Sequence, residues 1–109
     1  MNYATHNQKE VNPNDTSLMG YIDIEYDKLV SLFGEPTDSD GYKVDAQWDI
    51  EFEDGLIATI YNWKDGKNYN GEEGLDVTEI TDWHIGGHKK DVVDRIHNIF
   101  ASETSPQKN

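Results

Sequence analysis

The sequence between positions 44 and 53 alternates apolar and polar residues at all ten positions. A period of two is typical of a β-strand with one face in the core and the other in solvent. We therefore predict a strand over residues 44–53. Its polar side, called here the acidic strand face, carries four carboxylates, one amide and no cation: Asp45, Gln47, Asp49, Glu51 and Glu53.

The charge of the chain has the same sign as this strand face. Among 109 residues there are 22 acidic and 9 basic side chains, a formal net charge of -13. Direct binding to nucleic acid requires cations, so we expect none. Two explanations of the acidity stay open: it keeps the protein in solution, or it forms a surface that attracts a basic partner.

Composition also limits the architecture. The chain contains no cysteine, which excludes disulfides and thiolate chemistry. No apolar run approaches the roughly 18 residues of a membrane span, and the N-terminus lacks the apolar stretch of a secretory signal, so we expect a cytoplasmic protein. Polar composition predicts a disordered arm over residues 1–17 and a disordered tail over 102–109. A single domain would then occupy residues 18–101.

The first half of that domain reads as a strand followed by a helix. Residues 19–24 form a short apolar run, and Asp23 is suited to cap a helix that follows it. Gly34 is placed to end that helix, and Pro36 prevents its continuation. One helix face is predicted from the spacing of Tyr26, Leu29, Val30 and Phe33.

The acidic strand runs into Asp54-Gly55, a pair that favours a two-residue hairpin turn. In that register Asp49 lies opposite Ile60, and Leu56 falls on the same face. Carboxylates and aliphatic side chains would then share one side of the hairpin. This mixed face is a hypothesis for a surface of self-association.

The rest of the domain predicts one more strand and one more helix. Residues 77–84 alternate as a strand that ends in a sharp turn at Gly86-Gly87, and residues 89–100 show helical spacing. The element order is β-α-β-β-β-α. We therefore predict an α+β domain of two layers, with two helices on one face of an antiparallel sheet of three to four strands.

Carboxylate spacing limits how closely one strand can imitate nucleic acid. Alternate strand residues lie about 6.7 Å apart, whereas one DNA strand presents a phosphate about every 3.4 Å of its axis. Imitation therefore requires a second acidic row. The side chains considered for that row are Asp38, Asp40, Asp65, Glu72, Glu73 and Asp76.

A loop is predicted over residues 64–74, after the hairpin. Together with Trp63 directly before it, the loop combines aromatic and basic residues with three glycines. A long loop of this composition suits protein recognition, with Trp63, Lys67 and Tyr69 as contact residues. Lysines in a glycine-rich loop also raise the question of phosphate binding, but the Gly-x4-Gly-Lys-[Ser/Thr] pattern is absent. A purely structural loop is the alternative.

Catalytic patterns are weak. His84 and His88 with a nearby carboxylate could form a metal or acid–base site, but no third ligand has a fixed spacing and the His-Glu-x-x-His motif is absent. No Gly-x-Ser-x-Gly motif is present either. We therefore expect no enzyme, cofactor or metal, and keep a small-ligand or metal-binding domain at His84 and His88 as the alternative.

Several motifs lie between positions 26 and 87. They are Leu29-Val30 followed by Phe33-Gly34-x-Pro36, then Lys43-Val44-Asp45-Ala46-x-Trp48, the run from Ala58 to Tyr69, and Trp83-His84-Ile85-Gly86-Gly87. In these motifs the chain resembles a group of small, acidic, uncharacterised proteins encoded by phages and prophages. No activity is attached to that group, so the resemblance assigns no residue roles; it implies a viral origin and, by analogy of class, an inhibitor of host defence or of host nucleic-acid enzymes.

The leading hypothesis is therefore an acidic, non-enzymatic inhibitor. It would occupy the nucleic-acid-binding site of a basic host protein in the host cytoplasm, with fast, salt-sensitive association. The alternatives are the ligand or metal domain and a self-associating subunit such as a homodimer. The residues expected at the partner contact are Asp45, Asp49, Glu51, Glu53, Trp63, Lys67 and Tyr69.

Overall fold

The computed structural model describes residues 2–37 and 43–104. Two single 3-10 turns, Gly71–Glu73 and Val77–Glu79, lie between the longer elements. The strands are β1 (Tyr3–Thr5), β2 (Ser17–Asp23), β3 (Gln47–Phe52), β4 (Ile57–Tyr61) and β5 (Asp82–Gly87). The helices are α1 (Tyr26–Phe33), α2 (Lys67–Asn70) and α3 (Asp91–Thr104). None of these helices is long and apolar enough to cross a membrane.

The strands form one antiparallel sheet in the order β1-β3-β4-β5-β2. The predicted α+β class and antiparallel sheet are therefore confirmed. The predicted numbers of elements are wrong, because the described residues hold five strands and three helices. One additional strand comes from the N-terminal segment, and one short helix lies inside the predicted loop.

The prediction of a disordered arm over residues 1–17 is wrong for the described part of that segment. In β1, Ala4 pairs with Glu51 of β3, and Thr5 is buried. Farther along, Val11 is buried as well. Polar composition does not exclude a strand, because strands pair through their backbone N–H and C=O groups. Here the edge of β3 supplies the backbone groups that pair with β1. At the other end, α3 reaches Thr104, while residues 105–109 lie outside the described residues.

The β3–β4 hairpin turns through three residues rather than two. The N–H of Phe52 donates to the Leu56 carbonyl at 2.9 Å, and Gly55 adopts a φ of +91° that favours glycine. The register therefore shifts by one residue, and Ile60 pairs with Trp48 instead of Asp49. A shift of one residue reverses which side chains of β4 share a face with the apolar side chains of β3.

The predicted mixed face is consequently wrong. Ile60 is fully buried in the core, and Asp49 lies opposite Thr59. Self-association through a surface containing Ile60 has no structural basis, because the side chain is not at the surface.

The core lies between the sheet and helices α1 and α3. Trp48 and Trp83 meet edge to face with ring centroids 5.4 Å apart, and both indoles are fully buried. Each indole N–H donates to a backbone carbonyl, at 2.8 Å to Gly34 and 3.0 Å to Ile24. The helices contribute Leu29, Phe33, Val92, Ile96 and Phe100 to this core.

Arg95 of α3 holds the hairpin turn in place. Its guanidinium donates to both carboxylate oxygens of Asp54, at 2.9 and 2.7 Å, and to Asp91 at 2.8 Å. The hydrogen bonds from Arg95 lower the pKa of Asp54 to about 2. Because the folded pKa is the lower one, this pair stabilises the fold above the ordinary carboxyl range and is lost as pH falls towards 2.

The predictions for the third strand and its turn were wrong in detail. A 3-10 turn occupies Val77–Glu79, and the strand begins only at Asp82. Gly86 and Gly87 lie inside β5 rather than in a turn. Gly87 is needed there because a Cβ atom would lie 2.7 Å from Cγ2 of Val92, so glycine lets α3 pack closely on the sheet.

Candidate functional site

The sheet face opposite the core cluster, called here the open face, contains two of the sequence-predicted carboxylates, Asp49 and Glu51 of β3. Strand alternation places Asp49 of β3, Thr59 and Tyr61 of β4, and His84 of β5 on this side. The N-terminal segment, residues 2–16, lies against the part of this face that β3 forms, called here the β3 half. The part that β2 and β5 form, called the β2–β5 half, is more exposed, and Tyr21 there has 55% of its surface in contact with solvent.

Asp45 lies at the start of the predicted strand but is part of a hydrogen-bonded loop network. Its carboxylate accepts the Asn62 side-chain amide at 2.9 Å and the Asn68 backbone N–H at 3.1 Å. The buried Asn62 amide oxygen in turn accepts the backbone N–H groups of Asp45 and Ala46, at 2.7 and 3.1 Å. Asp45 and Asn62 therefore connect β3 to the loop after β4.

The central carboxylates of the acidic strand face are also engaged inside the protein. Asp49 has only 7% of its surface exposed and accepts the Gln47 side-chain amide at 2.7 Å. Glu51 forms a 3.2 Å ion pair with Lys9 of the N-terminal segment. Glu53 is exposed in the hairpin turn. Of the four predicted carboxylates, Glu53 is the most open to a partner.

The loop residues predicted as contacts lie in separate environments. Trp63 and Tyr69 are 41% and 39% exposed. The ammonium of Lys64 lies over both rings, 5.7 and 5.4 Å from their centroids. Lys67 is directed to Asp76 in a 3.0 Å ion pair. The two aromatic residues are thus accessible, while the lysine has an internal partner.

A row of aromatic side chains crosses the open face from the sheet edge inward. Ring centroids are 4.9 Å apart between Tyr21 and His84, 5.4 Å between His84 and Tyr61, and 6.4 Å between Tyr61 and Trp63. Burial raises the pKa of Tyr61, with a further contribution from Tyr21. We call these four residues the aromatic row. Its accessible outer end, Tyr21, lies on the edge strand β2.

Two carboxylates border the aromatic row. Asp23 and Asp82 pair directly across β2 and β5, and a 2.8 Å hydrogen bond from Ile24 N–H to the Thr81 carbonyl closes the strands beside them. Both side chains are exposed, and neither forms an ion pair with a lysine or arginine of the described residues. Residues paired in this way have Cβ atoms about 4.5–5.5 Å apart, and like charges there repel.

The sequence did not predict that Asp23 and Asp82 form a pair. Alternation identifies strands, but it does not reveal which strand lies beside which. The sequence predicts Asp23 as a helix cap, whereas the residue that precedes α1 is Glu25. The Glu25 side chain makes no capping hydrogen bond. Only the antiparallel pairing of β2 with β5 brings Asp23 and Asp82 together.

The carboxylates considered for a second acidic row lie in separate environments. Asp65 accepts the Asn62 amide at 3.0 Å and Asp76 pairs with Lys67, while Glu72 and Glu73 lie in an exposed 3-10 turn. Asp38 and Asp40 lie outside the described residues. In the part of the chain that the structure describes, the closest opposition of carboxylates across strands is therefore that of Asp23 and Asp82.

The two histidines of the alternative hypothesis point to different partners. The His84 ring lies between two tyrosines of the aromatic row, whereas Nε2 of His88 is 3.0 Å from the Asn14 carbonyl oxygen. Within residues 2–37 and 43–104, no three His, Asp or Glu side chains are grouped to hold a metal ion. Binding of a ligand by these histidines stays a prediction.

Comparison with known proteins found no matching family model, no match among curated proteins and none among solved structures. The resemblance to phage-encoded proteins therefore stays a prediction.

Proposed function

We propose that this chain is a non-enzymatic binding protein that occupies a basic site on a partner protein. The observation that carries the proposal is the exposed end of the aromatic row, bordered by the opposed carboxylates Asp23 and Asp82. Interfaces derive much of their binding energy from a few aromatic anchors near the centre, and surrounding charges select the partner. Tyr21 would be the anchor.

The opposed carboxylates favour a cationic partner. Two like charges in direct cross-strand opposition cost stability in the free protein. A lysine or arginine from a partner would relieve that repulsion and form charge-assisted hydrogen bonds. With a net charge of -13, the rest of the protein would also accelerate the encounter with a basic surface.

A nucleic-acid-binding site is the type of basic surface that fits this proposal best. Asp23 and Asp82 place two carboxylates at one position along the sheet, which gives a higher local charge density than the roughly 6.7 Å spacing of carboxylates along one strand. The protein would compete with nucleic acid by charge and by steric exclusion. The resemblance to phage proteins suggests an inhibitor of a host enzyme or defence protein, acting in the host cytoplasm.

The test begins with a tagged chain incubated in bacterial lysate at low and high salt, followed by mass spectrometry. Each retained protein is then purified and its affinity measured for the wild type, Tyr21→Ala and Asp23→Lys/Asp82→Lys. The charge-matched control is Glu72→Lys/Asp94→Lys, because both residues are exposed and lie outside β2 and β5. Glu51→Lys/Glu53→Lys tests the acidic strand face in the same assay.

We expect a partner that is released by salt and displaced by nucleic acid. Its affinity should fall at least about tenfold in Tyr21→Ala and Asp23→Lys/Asp82→Lys, and little in the control. Equal losses in the control would mean that only net charge matters. A loss confined to Glu51→Lys/Glu53→Lys would move the interface to the acidic strand face, and retention of no protein at low salt would overturn the proposal.

A further inference from the structure

A cavity of about 290 Å³ opens on the open face, on the side of the aromatic row away from Asp23 and Asp82. The N-terminal segment forms one wall, and β3, β4 and β5 form the floor. The lining includes Thr16, Gln47, Thr59, Tyr61, Trp63 and Gly86. Aromatic rings and neutral hydrogen-bonding groups therefore meet in one concave site, a combination typical of small-molecule pockets.

Thr59 is the clearest sign that the cavity is made for a polar ligand. The residue is only 2% exposed, and its hydroxyl makes no hydrogen bond to any residue that the structure describes. Because no fully buried side-chain oxygen or nitrogen among the described residues lacks a partner, this hydroxyl opens into the cavity, where a ligand can bond to it. Gly86 keeps the space in front of it open, since a Cβ atom there would lie 2.5 Å from Thr59 Oγ1.

Gln47 supplies a second polar group with a defined orientation. Its Nε2 donates to Asp49 at 2.7 Å, which identifies the other side-chain atom as the carbonyl oxygen. That oxygen has no partner among the described residues and is an acceptor at the cavity wall. Together, Thr59 can donate or accept and Gln47 can accept, as recognition of a heterocycle edge requires.

Two lysines lie over Trp63, which lines the cavity. The Lys64 N–H donates to the Lys43 carbonyl at 2.8 Å, so the two residues are neighbours. Both ammonium groups lie over the indole of Trp63, 5.5 and 5.7 Å from its centroid. Lys64 has a φ of +64°, a conformation that is uncommon outside glycine. The Lys64 ammonium is therefore a cation held beside an aromatic wall of the cavity.

We propose that the cavity binds a nucleoside monophosphate. The base would pack against Trp63 and Tyr61, with its edge on Thr59 and Gln47, and the phosphate would meet Lys64. Stacking on aromatic side chains and contacts from lysine to phosphate are the two ordinary components of nucleotide binding. A volume near the lower end of the usual range of roughly 300–1,000 Å³ suits one nucleotide rather than two.

This site is independent of the proposed partner surface. The cavity uses neutral groups and Lys64, whereas partner binding would depend on Tyr21 and two carboxylates. Failure of either proposal therefore leaves the other standing.

The experiment uses the side-chain N–H signals of the three tryptophans in an NMR spectrum. Trp48 and Trp83 are fully buried with bonded indoles, whereas Trp63 is 41% exposed. The full chain is titrated with AMP, GMP, CMP and UMP, with the corresponding nucleosides, and with inorganic phosphate. We expect saturable movement of the Trp63 signal with at least one monophosphate, at a Kd below about 1 mM.

Matched variants separate a built site from chance stacking. Lys64→Gln should weaken the monophosphate about tenfold and leave the nucleoside unchanged, because only the phosphate contact is lost. Lys90→Gln, the same change at an exposed lysine outside the cavity, should alter neither. Thr59→Val should weaken both ligands about tenfold while the thermal unfolding temperature does not fall, since no internal hydrogen bond is broken.

Three results would overturn the proposal. One is the absence of saturable movement of the Trp63 signal with every monophosphate at millimolar concentration. Another is equal affinity in Lys64→Gln and wild type, which would indicate stacking on an exposed indole alone. The last is an identical response to inorganic phosphate, which would indicate an ion site without base recognition.

Discussion

The two halves of the open face carry aspartates at similar strand positions, yet they present different surfaces. On the β3 half, Asp45 and Asp49 accept internal hydrogen bonds, and Glu51 pairs with Lys9. On the β2–β5 half, Asp23 and Asp82 oppose each other in solvent, beside the exposed Tyr21. The first half uses its carboxylates for the fold, and the second leaves them available to a partner.

Neighbouring segments cause this difference. β3 lies inside the sheet, between β1 and β4, and the segment after β1 supplies Lys9, which pairs with Glu51 of β3. β2 is an edge strand, and its open-face side chains Tyr21 and Asp23 are exposed. Whether a strand carboxylate is bonded inside the protein or exposed to a partner therefore depends on the segments that lie next to its strand. The alternation of apolar and polar residues does not distinguish these two cases.

The largest expected effect tests which side chains belong to the open face. Ile60→Lys should destabilise the fold by more than about 4 kcal/mol, because it places a charge without a partner in the core. Tyr61→Lys, one residue later on the open face, should cost only roughly 1–2 kcal/mol. Urea unfolding of both variants measures the difference. Equal losses would contradict the three-residue turn and the register that follows from it.

An intermediate effect is expected in the network of the β3 half. Asn62→Ala should destabilise the protein by about 3 kcal/mol, because it leaves the buried N–H groups of Asp45 and Ala46 without their acceptor. Asn70→Ala is the matched control, since its side chain bonds two loop carbonyls at an exposed position. Thermal unfolding of both should show the larger loss in Asn62→Ala; similar values would remove the special role of that network.

The smallest effect has the opposite sign and belongs to the β2–β5 half. Asp82→Asn should raise the unfolding free energy by about 0.2–1 kcal/mol, because it removes the repulsion from Asp23. The gain should shrink at high salt, which screens exposed charges. Asp94→Asn, a change of the same charge on α3, serves as the control. A loss of stability in Asp82→Asn would show that the pair is not under repulsion.

Local patterns predicted the elements whose causes are local. Spacing at positions 26, 29, 30 and 33 placed α1, and Gly34 ends it with a φ of +85°. The apolar half of the alternating stretch is buried as predicted, since Trp48, Ile50 and Phe52 lie in the core. The failures concern the hairpin register, the strand in residues 3–5 and the role of Gly86-Gly87. Each of these depends on a segment distant in the sequence.

The sequence by itself determined the α+β class, the buried side of β3 and the acidity of the chain, because periodicity and charge are properties of short segments. Tertiary structure decided which carboxylates reach solvent, that Asp23 faces Asp82, and that Thr59, Gln47 and Trp63 share a cavity. The physical reason is that strand pairing, and the covering of a sheet face by another segment, depend on backbone hydrogen bonds between segments distant in the sequence. Almost any side chain is compatible with such hydrogen bonds, so the local sequence does not specify them.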